Sequence, residues 1–164
     1  EKYEYERYEF EDALENLRPE YASAVIVKDL SVENLKSLVE QPFETGILVL
    51  NGEIVLFTSG SGDEIGVLPA VKKLVEKATF VSHTHPLEHS KEGPTGADIN
   101  EAVAAPLEEY VMTRQGVYAY NRNGLLNNGQ PYTYEWYIEK LEESLSSPNA
   151  LIGDPEFGFP LSRE

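Results

Sequence analysis

The constraint that most narrows the folds open to this chain is the dipeptide Asn51-Gly52, set between two apolar runs, Ile47 to Leu50 and Glu53 to Phe57. A two-residue turn that matches the twist of antiparallel strands needs positive φ at both central residues, which Asn and Gly tolerate best. The spacing therefore predicts a β-hairpin, and with it a sheet containing antiparallel strands. Further apolar runs extend that sheet. Ala22 to Val27 reads as a buried strand, Phe80 to Ser82 as a short one, and Tyr110 to Thr113 with Val117 to Tyr120 as a second hairpin around Arg114-Gln115-Gly116. Asn121 to Gly124 closes another turn.

Helical periods alternate with these strands. Ser31 caps a helix in which Val32, Leu35 and Val39 share one face and which ends at Pro42. Residues 67 to 77 form an amphipathic helix with Leu68, Val71, Leu74 and Val75 inward. Ile99, Ala102 and Val103 continue a helix from Asp98 to Pro106, and Thr133 opens another in which Tyr134, Tyr137 or Ile138, Leu141 and Leu145 align. The expected class is α+β, a mixed β-sheet flanked by helices. With 164 residues, 41% of them hydrophobic, the chain builds one sizeable core. The expected organisation is an acidic, aromatic N-terminal segment (1–21) docked on a domain (22–146), followed by an extended proline-bearing tail (147–164). In the first segment Tyr3, Tyr5, Tyr8 and Phe10 precede a short helix through Ala13, Leu14 and Leu17 that stops before Pro19; the alternative for its aromatics is a partner or an upstream domain.

Charge and composition exclude several classes of function. The formal net charge is −16 and the sequence pI about 4.5, so the field of the protein repels phosphate backbones and anionic lipid. Nucleic acid and membrane are not expected partners, and no apolar run approaches the length of a membrane helix. There is no cysteine, hence no disulfide, no thiol nucleophile and no cysteine-based zinc site. The chain opens on Glu1 rather than Met, as a trimmed piece of a longer and even a secreted protein does; with no signal peptide visible in the sequence, the cytoplasm is the default expectation.

Chemistry concentrates between Phe80 and Asp98, which holds all three histidines, His83, His85 and His89. Being two apart at the end of a strand, His83 and His85 project from the same side. Two imidazoles and one carboxylate complete the protein's share of a catalytic zinc site that keeps a position for water, and Asp98 is the natural third ligand. Thr95 to Asp98 also fits a capping box, in which case Asp98 caps a helix and does nothing more. Glu88 and His89 are a further ligand pair or, on the simpler reading, solvated loop residues. The loop Thr58-Ser59-Gly60-Ser61-Gly62 lacks both the nucleophile-elbow pattern and the lysine of a phosphate-binding loop, and reads as a polar connector.

Glu44 before an apolar strand, His83-Thr84-His85-Pro86, and Thr95 followed by Asp98 occur in the order of the JAMM-type (MPN) zinc metalloprotease signature. The chain resembles that family over roughly residues 44 to 121, nearest its bacterial, RadC-like and toxin-associated branches. It departs in two places: the interval between His85 and Thr95 is longer than usual, and threonine stands for the customary serine while keeping the hydroxyl. The resemblance implies a cytidine-deaminase-like mixed sheet, Zn2+ bound by His83, His85 and Asp98, Glu44 as general base and Thr95 as oxyanion donor. Glu53 is the rival glutamate, but it follows the hairpin turn. The resemblance also implies hydrolysis of peptide or isopeptide bonds, with a protein or peptide substrate such as a ubiquitin-like modifier whose extended C-terminus adds as a strand. The alternative is an inactive MPN scaffold or protein-binding module. Two-metal hydrolases that also begin with His-x-His need further histidines, and none follows His89. Oligomeric state is not legible.

Overall fold

A computed structural model describes residues 6–18, 22–59, 78–85 and 108–146. The predicted hairpin is formed by β3 (Gly46–Leu50) and β4 (Glu53–Ser59), numbering strands in chain order. Its register runs from Leu50↔Glu53 to Gly46↔Phe57, and both turn residues have positive φ, 58° at Asn51 and 77° at Gly52. The strands before it are β1 (Arg7–Tyr8) and β2 (Ala22–Val27), and those after it β5 (Phe80–Thr84), β6 (Glu109–Thr113), β7 (Gly116–Asn121) and β8 (Gly124–Leu125). They form an eight-stranded sheet in the order β1-β2-β4-β3-β5-β6-β7-β8. The pairs β1/β2 and β5/β6 are parallel and the others antiparallel, so the sheet is mixed. The expected α+β class is what the protein adopts.

Three helices accompany the described strands: α1 (Phe10–Asn16), α2 (Val32–Val39) and α3 (Tyr134–Leu145). At the start of α2, Ser31 Oγ accepts from the Asn34 amide at 3.1 Å while the Ser31 amide donates to Asn34 Oδ1 at 3.0 Å, a reciprocal capping box. At the start of α3, Thr133 Oγ1 accepts from the Trp136 amide. Phe10, Ala13 and Leu17 from the first helical segment, Leu35, Leu38 and Val39 from α2, and Tyr137 and Leu141 from α3 share one core cluster with Val25, Ile47, Val49, Leu56, Phe80 and Met112 of the sheet. Those strand residues all have the parity of one face. Residues 6–18 are thus built in, β1 pairing with β2 and α1 joining the same core cluster.

The opposite face is buried too. Ile26, Leu48, Val55, Phe57, Val81 and Val111 are each almost wholly shielded from solvent. Central strands covered on both faces read as continuous apolar runs, which is why β3 is Gly-Ile-Leu-Val-Leu without alternation. The helices expected over 67–77 and from Asp98 to Pro106, residues 60 to 62 of the polar loop, Tyr3, Tyr5 and the tail 147–164 lie outside the described residues.

Candidate functional site

The ladder between β3 and β5 pairs Gly46 with His83, Ile47 with Ser82, Leu48 with Val81 and Val49 with Phe80. Extending it by two residues sets Glu44 across from His85. Because side chains alternate, Glu44, Gly46 and Leu48 on one strand and Val81, His83 and His85 on the other belong to the same face, the one opposite α1, α2 and α3. Glu44 and the two histidines, about forty residues apart in sequence, thereby meet at one end of two central strands.

There the imidazoles face each other, with His83 Nε2 3.2 Å from His85 Nε2 and ring centroids 5.0 Å apart. Glu44 Oε2 lies 3.9 Å from His85 Nε2. All three residues are buried, with relative exposures of 8% for Glu44, 8% for His83 and 4% for His85. Two nitrogens 3.2 Å apart satisfy each other only if one ring donates to the other, or if both turn lone pairs toward a single cation. The second arrangement fits zinc: two ligands at about 2.0–2.1 Å from a tetrahedral ion stand roughly 3.3 Å from each other. The Glu44 carboxylate lies within ion-pair reach of His85 Nε2 but beyond direct hydrogen-bond length.

The backbone around the pair is fixed from both sides. The Thr84 amide donates to the Thr45 carbonyl at 2.9 Å, and the His85 amide donates to the Met112 carbonyl of β6 at 2.9 Å, which carries β5 one residue past its ladder with β3. On the helix-covered face, Ser82 Oγ donates to the Ile47 carbonyl at 3.1 Å and meets Tyr137 Oη at 2.7 Å, tying the histidine-bearing strand to α3.

Of the residues expected in the site, Glu44, His83 and His85 are brought together. Thr95 and Asp98 lie outside the described residues, as do Pro86, Glu88 and His89. Among the described residues no group of three His, Cys, Asp or Glu side chains is arranged to hold a metal ion. Glu53, the rival to Glu44, is at the other end of the hairpin, where Arg7 Nε donates to its Oε2 at 2.9 Å and Arg7 Nη2 donates to the same oxygen. Thr58 is structural: its hydroxyl donates to the Arg18 carbonyl at 2.9 Å.

Two features went unnoticed in the sequence. Glu109 is buried on the histidine face of β6, opposite Val81, and its Oε1 accepts from Tyr120 Oη at 3.2 Å. A glutamate at the head of an apolar run was the available signal. The second is the pair Thr45 and Thr84, both fully buried between the site residues. Compared with protein-family models, with curated proteins and with solved structures, the chain matches none.

Proposed function

We propose that the protein is a zinc-dependent hydrolase of peptide or isopeptide bonds, of JAMM type. The observation that carries this reading is the convergence of three buried side chains on one sheet face, with imidazole nitrogens 3.2 Å apart and the Glu44 carboxylate 3.9 Å from the nearer one. A carboxylate that merely balanced a protonated histidine would need no second imidazole aimed at the same point.

On this reading His83, His85 and Asp98 would hold the metal. When bound, zinc would supply Lewis acidity that lowers the pKa of a bound water toward about 7, so that a nucleophile is available at neutral pH. Glu44 orients the attacking water by hydrogen bonding, takes its proton as general base and returns it to the leaving amine. Thr95 donates its hydroxyl to the oxyanion that develops on the scissile carbonyl, an interaction whose loss typically costs about 100-fold or more in rate. Glu44, His83 and His85 are buried, which strengthens electrostatic contacts between them. The substrate is a protein or peptide, with an extended tail of the kind that ubiquitin-like modifiers carry.

The test pairs metal analysis with turnover. Purified protein is expected to hold about one zinc per chain, and Glu44→Gln to keep that zinc while losing hydrolysis of amide substrates. Zinc retained by a wild type as inert as Glu44→Gln would refute the enzymatic reading and leave a metal-bearing scaffold.

A further inference from the structure

We infer that Thr84 is a positioning residue of the site, its hydroxyl standing in for a backbone carbonyl to swing His85 toward His83 and Glu44. The inference rests on reading Glu44, His83 and His85 as one site. In a regular antiparallel ladder the pair Thr45 and Thr84 would exchange two amide-to-carbonyl bonds, as alternate pairs along it do. Only half of that exchange is backbone to backbone. The Thr84 amide donates to the Thr45 carbonyl at 2.9 Å, but the Thr45 amide donates to Thr84 Oγ1, at 3.0 Å.

The substitution has a geometric consequence. A hydroxyl on Cβ satisfies the Thr45 amide without committing the Thr84 carbonyl to β3, so the peptide between Thr84 and His85 can turn. His85 is then held from the other neighbour, its amide donating to Met112 of β6 at 2.9 Å. β5 is paired with β6 from Val81 to Thr84 as well, and the His85 amide carries that parallel ladder one residue beyond the last bond to β3, at the place where two imidazoles must converge. Thr84 itself points away from them, to the helix-covered face, and is fully buried. It acts on the site through the backbone alone. Removing the hydroxyl would leave the Thr45 amide buried without an acceptor, so the strand end must shift to find one.

The experiment follows the ring nitrogens of the three histidines by 15N NMR in metal-free protein, then titrates zinc chloride against a chelating competitor. Thr84→Val, which keeps the shape and loses the acceptor, is expected to move the His85 ring resonances and to weaken zinc by about 10–100-fold, the usual scale for a supporting shell. Its kcat should fall with KM unchanged. Thr84→Ser, which keeps the hydroxyl, should retain the wild-type resonances and affinity even if it melts at a lower temperature. Unmoved His85 resonances in Thr84→Val, or equal displacement in Thr84→Ser, would overturn the inference. Should Thr84→Val fail to fold, hydrogen exchange of the Thr45 amide in wild-type protein decides: protection supports the bond, and rapid exchange from the folded state overturns it. A wild type that gives these results yet hydrolyses no amide removes the proposed function and leaves the positioning role standing. A wild type that turns over while Thr84→Val matches it in every readout does the reverse.

Discussion

The ring of Phe57 fills the space in which a side chain on Gly46 would stand: a Cβ built on Gly46 would lie 2.1 Å from both Cε1 and Cζ of that ring. Phe57 is the cross-strand partner of Gly46 on one side and His83 its partner on the other, so the three occupy one row across the sheet. An aromatic folded over a strand glycine recovers the packing that glycine forgoes. Gly46→Ala is therefore expected to cost about 1–3 kcal/mol by overpacking, read from denaturant midpoints. Adding Phe57→Leu to Gly46→Ala should recover part of that loss, because the two changes share one contact and will not add. Strict additivity would show that the ring does not set the cost.

A second prediction concerns the link between β5 and α3. Ser82 has one hydroxyl proton, which it gives to the Ile47 carbonyl, so Tyr137 must be the donor in the 2.7 Å contact between their hydroxyls. Tyr137→Phe then removes a donor whose acceptor keeps another bond, at a cost of about 0.5–1.5 kcal/mol. Ser82→Ala instead strands a buried phenol and should cost more, about 1–3 kcal/mol. Equal losses in the two variants would show that the hydrogen bond runs in the other sense.

The same tyrosine gives the protein an alkaline limit. Burial pushes the Tyr137 phenol well above its ordinary range, and burial, helped by the neighbouring Glu108 carboxylate, does the same to Tyr110. The folded state thus keeps protons that the unfolded chain releases near pH 10. Below that pH both states are protonated and the stability is fully present. Above it the unfolded state binds fewer protons, so stability falls with rising pH, by about 1.4 kcal/mol per pH unit for each phenol that stays protonated in the fold. Urea denaturation between pH 9 and 11 (roughly one unit either side of the free phenol) should show this slope, and Tyr137→Phe should reduce it by one proton. An unchanged slope would refute the assignment.

Much of the scaffold was legible because local chemistry left few choices. Asn51-Gly52 admitted one kind of turn, and Ser31 and Thr133 each supplied the oxygen that a helix start requires. β1 was not legible: two residues are too few to show a period, and Arg7 and Tyr8 are a strand only because Ile26 and Val27 stand beside them. The pairing of Gly46 with His83 was hidden for the same reason, since register between distant strands is decided by which face is buried. His83 and His85 could be found by spacing, and Glu44 by the order of the signature around it. Thr84 could not, because its part in the site comes from a hydrogen bond to a backbone amide across the sheet, which no residue pattern encodes.

The two glutamates of the hairpin provide the last prediction. Glu53 is paired in register with Leu50, four residues along β3 from Gly46, which at about 3.4 Å per residue puts it roughly 14 Å from the row of Gly46 and His83. There it is bound to Arg7, in an ion pair whose side chains are 50% and 23% exposed for Arg7 and Glu53. Such a pair contributes at most about 1 kcal/mol, and it stands at the far end of the hairpin from His83 and His85. Glu53→Gln is accordingly expected to leave zinc content and amide hydrolysis at wild-type levels and to lower stability only slightly. Glu44→Gln should keep the zinc and the fold while turnover disappears, because it removes the one carboxylate within reach of His85 among the described residues. Measured side by side, the variants separate a base from a surface charge: comparable losses of activity in both would mean that the hairpin's integrity, rather than the Glu44 carboxylate, limits the reaction.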